Sequence, residues 1–448
     1  MRHAMLLLVL LPALAWSGPM RAAQTPASAT SAPAPAASTA AQDDSVDLRD
    51  IRNFTRAYEI IRQAYVEKVS NRELMDKAIS GMLAGLDPHS AYLDRQGLDT
   101  LDEDTSGRYG GLGVEVAQVN GELMVVAPLD GSPAARAGIK PGDVILKVDQ
   151  APVDPDDVDA SIAKLRGEPG TKITLTVVHE KSSVPTDIAM TRERIALTSV
   201  NVRELEPGYA YIRISQFQAD TVDDLQSKFA ALEKKHGPQK GAVLDLRSNP
   251  GGLVTAAVGV SNAFLDSGRI VSTRGRLADA NMSFDATPGD ILHGAPLILL
   301  VDNGTASAAE IVAGALQDNR RALVMGRRTF GKGVVQTVIP VDENHAIKLT
   351  TARYYTPSGR SIQAEGITPD IRIADLVARA GDHGPSLIGS EADLPNHLAN
   401  EAPDTTRPTP IKPDDDGALA RSDYALAQAL NVLKGLALSR KNAAATAH

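Results

Sequence analysis

The sequence predicts a multidomain α/β protein with an N-terminal helical segment, a compact β-rich unit and a larger α/β core. Apolar residues recur every three or four positions over residues 48–65, which is typical of an amphipathic helix. Short strands with turn signals between them follow from Leu112. Beyond Thr191, short apolar strands such as residues 241–246 and 296–301 alternate with helical stretches, which indicates a largely buried sheet.

Composition excludes several classes of function. The net charge is −9 and no long basic run occurs, which argues against nucleic-acid binding. The chain has no cysteine, so disulfides, thiolate metal sites and cysteine nucleophiles are excluded. No H-E-x-x-H or similar spacing occurs, so the sequence predicts no metal and no cofactor.

The first residues predict export. Arg2 precedes an apolar run over residues 4–16, and small residues follow up to Ala23, which indicates a signal peptide over residues 1–23. A membrane anchor is the alternative, but the run is shorter than the roughly 20 residues that span a bilayer. We expect a protein of the periplasm or cell envelope, soluble after cleavage. Residues 24–45 are rich in Ala, Pro and Ser and predict a flexible linker.

Four regions follow the linker. Residues 46–104 predict helices, the second of them opening with the capping-box spacing of Ser70 and Glu73. The apolar stripes of these helices fit either a small core or a dimer seam. Residues 105–185 form the β-rich unit, with a hairpin signal at Asn120-Gly121. Residues 186–375 form the α/β core, and residues 376–448 a tail with a final helix over 419–438.

Ser307 is the candidate nucleophile. A buried strand runs into a turn of small residues and then into a helix that starts at this serine. Backbone N–H groups and the helix dipole at a helix N-terminus favour developing negative charge. A plain N-cap serine would show the same pattern. The motif alone leaves both interpretations open.

Lys332 is the candidate base, since none of the nine histidines lies in a catalytic setting. His89 is the best of them, yet it fits a structural residue at a helix end. Burial beside glycines and Phe330 would favour the neutral amine of Lys332. A solvated surface lysine is the alternative. Gln336 lies four residues further on, and two periods of a strand would bring it to the same face, where it can orient the lysine.

The segment 326–332 also matches the start of a phosphate-binding loop. Gly333 follows the lysine where such a loop needs Ser or Thr, and the next residues favour a strand rather than a helix. Nucleotide binding therefore has little support. The turn Gly251-Gly252 can present backbone N–H groups, which together with the Ala308 amide suits an oxyanion hole. A tight turn without a catalytic role is the alternative.

Together these motifs resemble the carboxyl-terminal processing proteases, also called tail-specific proteases. The blocks NGTASAAEIVAGALQD, GRRTFGKGVVQ and TARYYTPSGRSIQAEGITPDI occur in the family's order, and the similarity covers roughly residues 50–400. The resemblance implies an α/β protease core with a serine–lysine dyad of Ser307 and Lys332, with Gln336 as third member. Gly251 and Gly252 match the family's oxyanion loop.

The same resemblance implies that residues 105–185 are a PDZ domain. Gly110, Gly111, Leu112 and Gly113 would hold a C-terminal carboxylate, while a peptide adds as a strand to the sheet edge. Arg166 matches a position tied to gating of the active site. Expected partners are exported proteins with unstructured C-termini, an envelope adaptor protein and further copies of the chain. One alternative is a non-catalytic tail-binding chaperone or scaffold. Another is an ATP-dependent protease subunit, but the sequence has no usable nucleotide-binding loop for it.

Overall fold

The computed structural model describes residues 45–374 and 418–446, apart from 120, 156, 180, 181 and 183. The expected signal peptide, nearly all of the linker and most of the tail before the final helix lie outside the described residues, as does Asn120 of the expected hairpin turn. Contacts divide the chain into two units, residues 1–70 and 71–448. No helix among the described residues is both long and apolar enough to cross a membrane.

The first unit contains helix α1, Leu48–Ala64. The carboxylate of Asp47 caps it by accepting a hydrogen bond from Arg49 N at 2.9 Å. None of its residues is buried, and the apolar stripe that includes Ile51 and Phe54 is about half exposed. The stripe predicted from the periodicity is therefore present, and it is not buried within its own unit.

The second unit begins with α2 (Asn71–Ala84), β1 (Ala91–Leu93) and α3 (Arg95–Ser106). Helix α2 buries Leu74 and Leu83. Helix α3 starts at Asp94, whose carboxylate accepts from Gly97 N, and stops at Gly107, which adopts φ 68°.

The β-rich unit is a sheet in the order β3-β4-β5-β7-β8, with β6 beside β5 and a separate pair of β2 and β9. Its elements are β2 (Arg108–Gly111), β3 (Val114–Val119), β4 (Glu122–Pro128), α4 (Pro133–Arg136), β5 (Val144–Val148), β6 (Ala151–Pro152), α5 (Val158–Leu165), β7 (Lys172–Val178), β8 (Thr186–Thr191) and β9 (Glu193–Ala196). Strand β8 lies beyond the expected boundary at 185, yet it pairs with β7 along its whole length. The sheet of this unit therefore extends to Thr191.

The core is built on a sheet in the order β10-β11-β12-β15-β16-β19, in which only β10 is antiparallel to its neighbour. Its elements are β10 (Val200–Glu206), β11 (Tyr209–Ile214), α6 (Thr221–His236), β12 (Gly241–Asp245), α7 (Val254–Asn262), β13 (Arg269–Gly275), β14 (Ser283–Asp285), β15 (Leu297–Val301), α8 (Ala308–Asp318), β16 (Ala322–Gly326), β17 (Val334–Pro340), β18 (Ala346–Tyr355), β19 (Ile371–Arg372), α9 (Ala418–Ser422) and α10 (Tyr424–Thr446). A second sheet joins β1, β18, β13 and β14, and β17 pairs with β18.

Helices cover both faces of the parallel sheet. Successive side chains of a strand point to opposite faces, so Leu244 packs into the cluster with α6, α7 and α8, whereas Val243 packs with α10. Leu426 and Leu433 of α10 are buried against that second face. The final helix expected over 419–438 is thus a layer of the core. The carboxyl ends of β12, β15 and β16 meet at one edge, where ligands bind in open α/β sheets.

Candidate active site

Loops at this edge are joined by hydrogen bonds. Ala306 N, beside the candidate nucleophile, donates to Asn249 O at 2.9 Å. Asn249 is fully buried, and its Nδ2 donates to Ile214 O at the end of β11. Ser248 N donates to Asp302 Oδ1 at 2.7 Å. Burial raises the pKa of Asp302, but the hydrogen bonds from Ser248 and neighbouring groups outweigh it and lower the pKa. The loop after β12 and the loop after β15 are therefore held as one body.

Ser307 lies at the start of α8 in a strained conformation. Its φ is 55° and ψ is −117°, in a region that residues other than glycine rarely adopt. Its exposed fraction is only 9%. Such a turn between a buried strand and a helix is the arrangement that presents a serine hydroxyl as a nucleophile in hydrolases. A plain cap would need no such strain.

Glu310, one turn into α8, links Ser307 to Lys332. Its Oε2 accepts hydrogen bonds from Ser307 N and from Lys332 N, each at 2.8 Å. Its Oε1 accepts from Gly331 N at 2.8 Å and from Thr329 Oγ1 at 2.5 Å. The two candidate catalytic residues are therefore attached through their amides to a single oxygen atom.

The carboxyl group of Glu310 is completely buried. Burial raises its pKa, and the four donors around it oppose that rise by stabilising the charged form. The sequence contains a signal for this residue, because Ser307 and Glu310 have the capping-box spacing. Glu310 was nevertheless not predicted from the sequence as a site residue.

Lys332 lies in a loop between β16 and β17 and is half-buried. Burial lowers its pKa, and the positive charge of Lys348 lowers it further. The loop is also attached to the loop of Ser307, since Phe330 N donates to Thr305 O at 3.0 Å. A depressed pKa gives a lysine more of the neutral form that can accept a proton.

The glycine turn lies against Ser307. A Cβ atom on Gly251, whose φ is 107°, would stand 2.8 Å from the Cβ of Ser307, so only glycine fits there. The Gly251 N–H donates to Asn249 Oδ1 at 2.9 Å, which engages it within the loop. Of the three predicted oxyanion donors, the Gly251 N–H is therefore already engaged, and the amides of Gly252 and Ala308 are left as candidates.

Gln336 lies in strand β17, but not in the relation to Lys332 that the sequence predicted. Strand β17 begins at Val334, after Lys332, and a register shift falls between Val335 and Gln336. Lys332 and Gln336 are thus not separated by two regular strand periods, so strand alternation does not place their side chains on one face. Gln336 Nε2 donates to Thr350 Oγ1 of β18 at 3.4 Å.

The loop that contains His89 lies near the same lysine. Burial lowers the pKa of His89, and the charge of Lys332 contributes to the shift. Asp87 accepts from His89 N at 2.8 Å and from Thr350 Oγ1 at 3.1 Å. The sequence pattern of this loop predicted a helix end, and helix α2 does end just before it, at Ala84. The approach of the loop to β18 was not predictable from that pattern.

The β-rich unit carries an apolar groove. A cavity of about 280 Å³ lies between β3 and α5, lined among others by Leu112, Gly113, Val114, Ile162 and Leu165. Among the described residues β3 pairs only with β4, so its other edge is open beside the groove.

The four residues of the predicted carboxylate loop divide into two pairs. Leu112 and Gly113 line the groove, whereas Gly110 and Gly111 belong to β2 and pair with β9. Arg166 also lines the groove. It forms an ion pair with Glu103 of α3 at 2.6 Å, and its guanidinium lies 5.3 Å from the ring centre of Tyr109.

Three known domain families match parts of the chain. Residues 208–373 match the model of peptidase family S41, residues 124–178 match a PDZ domain, and residues 14–97 match the N-terminal domain of the activating protease CtpB. A carboxy-terminal-processing protease of Bartonella bacilliformis is 43% identical over 352 residues, covering 78% of this chain and 81% of that protein. The chain belongs to the carboxy-terminal-processing protease family.

A second protease relative agrees. The carboxy-terminal processing protease CtpA of Bacillus subtilis is 35% identical over 348 residues, which cover 74% of this chain and 73% of that protein. Among solved structures, a photosystem II D1 C-terminal processing protease is 30% identical, with 74% of this chain and 95% of that chain covered and a TM-score of 0.44.

The resemblance stated from the sequence is thereby confirmed, and so is the predicted fold class of N-terminal helices, PDZ domain and α/β peptidase core. The PDZ match coincides with the unit that carries the groove, and PDZ domains bind peptide C-termini.

Proposed function

We propose that this peptidase is a serine endopeptidase that captures flexible C-terminal tails of exported proteins through its PDZ domain and cleaves them with Ser307 and Lys332. One observation carries the proposal: a single oxygen of Glu310 accepts from the amides of both Ser307 and Lys332. The strained backbone of Ser307 and the lowered pKa of Lys332 are further support.

The proposed reaction is acyl transfer. Neutral Lys332 takes the proton of the Ser307 hydroxyl as its oxygen attacks the peptide carbonyl carbon. The amides of Gly252 and Ala308 donate to the oxyanion. Lys332 then gives its proton to the leaving amine, the C–N bond breaks and an acyl-enzyme remains. Water attacks that ester with Lys332 again as base, releasing the new C-terminus and free Ser307.

Two substitutions test the dyad. Ser307→Ala removes the nucleophile and should abolish cleavage of an unstructured substrate, because no acyl-enzyme can form. Lys332→Arg should do the same while leaving folding near normal, since a guanidinium stays protonated at working pH. Lys348→Arg is the matched control and should keep most of the activity. Cleavage by the Lys332→Arg variant at the wild-type rate would refute the lysine base.

The PDZ domain should read a free carboxylate. The open edge of β3 suits the addition of a peptide as a further strand. The turn at Leu112 and Gly113 directly precedes β3. Charge-assisted hydrogen bonds are worth about 1.5–3 kcal/mol each, so amidating the substrate C-terminus should weaken capture roughly tenfold or more. In the Ser307→Ala background the binding preference should persist without cleavage. Equal cleavage of free and amidated tails would overturn tail reading and leave the dyad intact.

Location and assembly complete the proposal. We infer export to the periplasm or cell envelope, and N-terminal sequencing of the envelope protein should show that at least the first 15 residues are missing.

The exposed apolar stripe of α1 supports pairing with a second copy, so light scattering on a chain lacking residues 24–68 should give a smaller assembly. An unchanged mass would exclude this stripe as the seam.

A further inference from the structure

The loop between α2 and β1 carries Asp87, whose carboxylate is held in place by hydrogen bonds within the loop. Asp87 Oδ1 accepts from the amides of His89 and Ser90 at 2.8 and 3.0 Å, and Oδ2 accepts from Ser90 Oγ at 2.7 Å. Ser90 is buried, and its Oγ in turn accepts from Thr350 N at 3.1 Å. The loop is therefore docked on β18 in one orientation.

This carboxylate determines the direction of the Thr350 hydroxyl. Burial raises the pKa of Asp87, but the hydrogen bonds of Ser90, His89 and Thr350 outweigh it and lower the pKa. An ionised carboxylate can only accept, so the single proton of Thr350 Oγ1 is directed to Asp87 Oδ1 at 3.1 Å. Thr350 Oγ1 is then an acceptor for its other neighbour, Gln336 Nε2, at 3.4 Å.

The direction of these hydrogen bonds decides which end of the Gln336 amide is left to face Lys332. With its NH₂ group directed to Thr350, the carbonyl oxygen is the end that can meet Lys332. A carbonyl accepts an N–H of a neutral amine and leaves the lone pair free for the serine proton. The reversed amide would donate to that lone pair and occupy the base.

We propose that Asp87 and Thr350 are positioning residues that orient the Gln336 amide so that its carbonyl oxygen is presented to Lys332. The inference rests on the proposed dyad, with Gln336 as the partner of Lys332 that the family resemblance implies, and it deepens that proposal. Neither residue touches substrate, and both act through Gln336.

Thr350→Val is the central test, because it removes the hydroxyl and keeps the shape. Losing one hydrogen bond that holds a catalytic geometry should lower kcat by roughly tenfold with KM unchanged. Thr350→Ser restores the hydroxyl and should restore kcat. Thr351→Val is the matched control: it breaks the bond between Thr351 and Thr337 hydroxyls in the same strand pair and should leave kcat near wild type.

A double-mutant cycle shows whether the effect passes through Gln336. In a Gln336→Ala background, Thr350→Val should cause no further loss of kcat. Asp87→Ala provides a second route, because it removes the acceptor that directs the Thr350 hydroxyl. The loss of kcat that this Asp87 substitution causes should also vanish in the Gln336→Ala background.

The outcomes separate the two proposals. Wild-type kcat in Thr350→Val, or the same fold-loss with and without Gln336, overturns the positioning role. Cleavage that survives Ser307→Ala overturns the dyad itself, whatever the Thr350 variants do.

Discussion

Replacing Glu310 by Gln tests how strongly the site depends on one buried carboxylate. The carboxylate accepts four hydrogen bonds, two at each oxygen. Glutamine keeps one carbonyl oxygen, so the two donors at the other position lose their acceptor and face an N–H group instead. Hydrogen bonds to charged groups are worth about 1.5–3 kcal/mol each, so the free energy of unfolding should fall by about 3 kcal/mol or more.

Activity should fall further than stability alone explains. Glu310 fixes the amides of Ser307 and Lys332 to the same oxygen, so the substitution lets the lysine loop move away from the serine. A misplacement of about 1 Å can reduce a rate about 100-fold. We expect kcat for a fluorogenic tailed peptide to fall by about that factor under conditions where circular dichroism shows the variant folded.

Urea unfolding followed by circular dichroism measures the first quantity and steady-state kinetics the second. Glu343→Gln is the matched control, since Glu343 is exposed in the turn between β17 and β18 and should change neither. A Glu310→Gln protein that unfolds at the wild-type urea concentration and keeps its kcat would refute the linking role of this carboxylate.

Three further predictions follow from other contacts. Lys348→Met removes a positive charge that lowers the pKa of Lys332, so that pKa should rise and the rising limb of kcat/KM against pH should move to higher pH; an unmoved limb contradicts it. Leu433→Ala should lower the free energy of unfolding in urea by about 2–5 kcal/mol, and a loss below about 1 kcal/mol would show that α10 contributes little. Asp423→Asn weakens a paired contact with Arg247 at 2.9 and 2.7 Å and should cost about 1–3 kcal/mol by the same measurement, with no change as the contrary result.

The sequence predicted the elements that depend on local pattern. Strands β12 and β15 are short and apolar, and both appear where the pattern placed them. The role of α10 could not be predicted, because an apolar helix does not indicate which face of a distant sheet it will cover. The extension of the β-rich sheet to β8 depends on pairing that starts beyond a turn, and the boundary at 185 missed it.

The same distinction holds for the site. Ser307 and Lys332 lie in local motifs and were found from them, while their assignment as a dyad remains a proposal. Thr350 and Asp87 are 263 residues apart in sequence, and neither has a local signal that names the other. Gln336 was chosen partly from an alternation that the register shift in β17 interrupts. Contacts between residues that are distant in sequence depend on the topology of the sheet, and a local sequence pattern does not predict them.

The open edge of β3 also has a consequence for how the protein behaves in concentrated solution. Unpaired N–H and C=O groups along a strand can accept the edge of another sheet as readily as a peptide, which leads to aggregation. Charged side chains on such a strand oppose it, and Glu115 of β3 is exposed there. Removing that charge by Glu115→Val should therefore make the protein precipitate at lower concentration. Solubility and recognition are in this way set by the same few backbone groups.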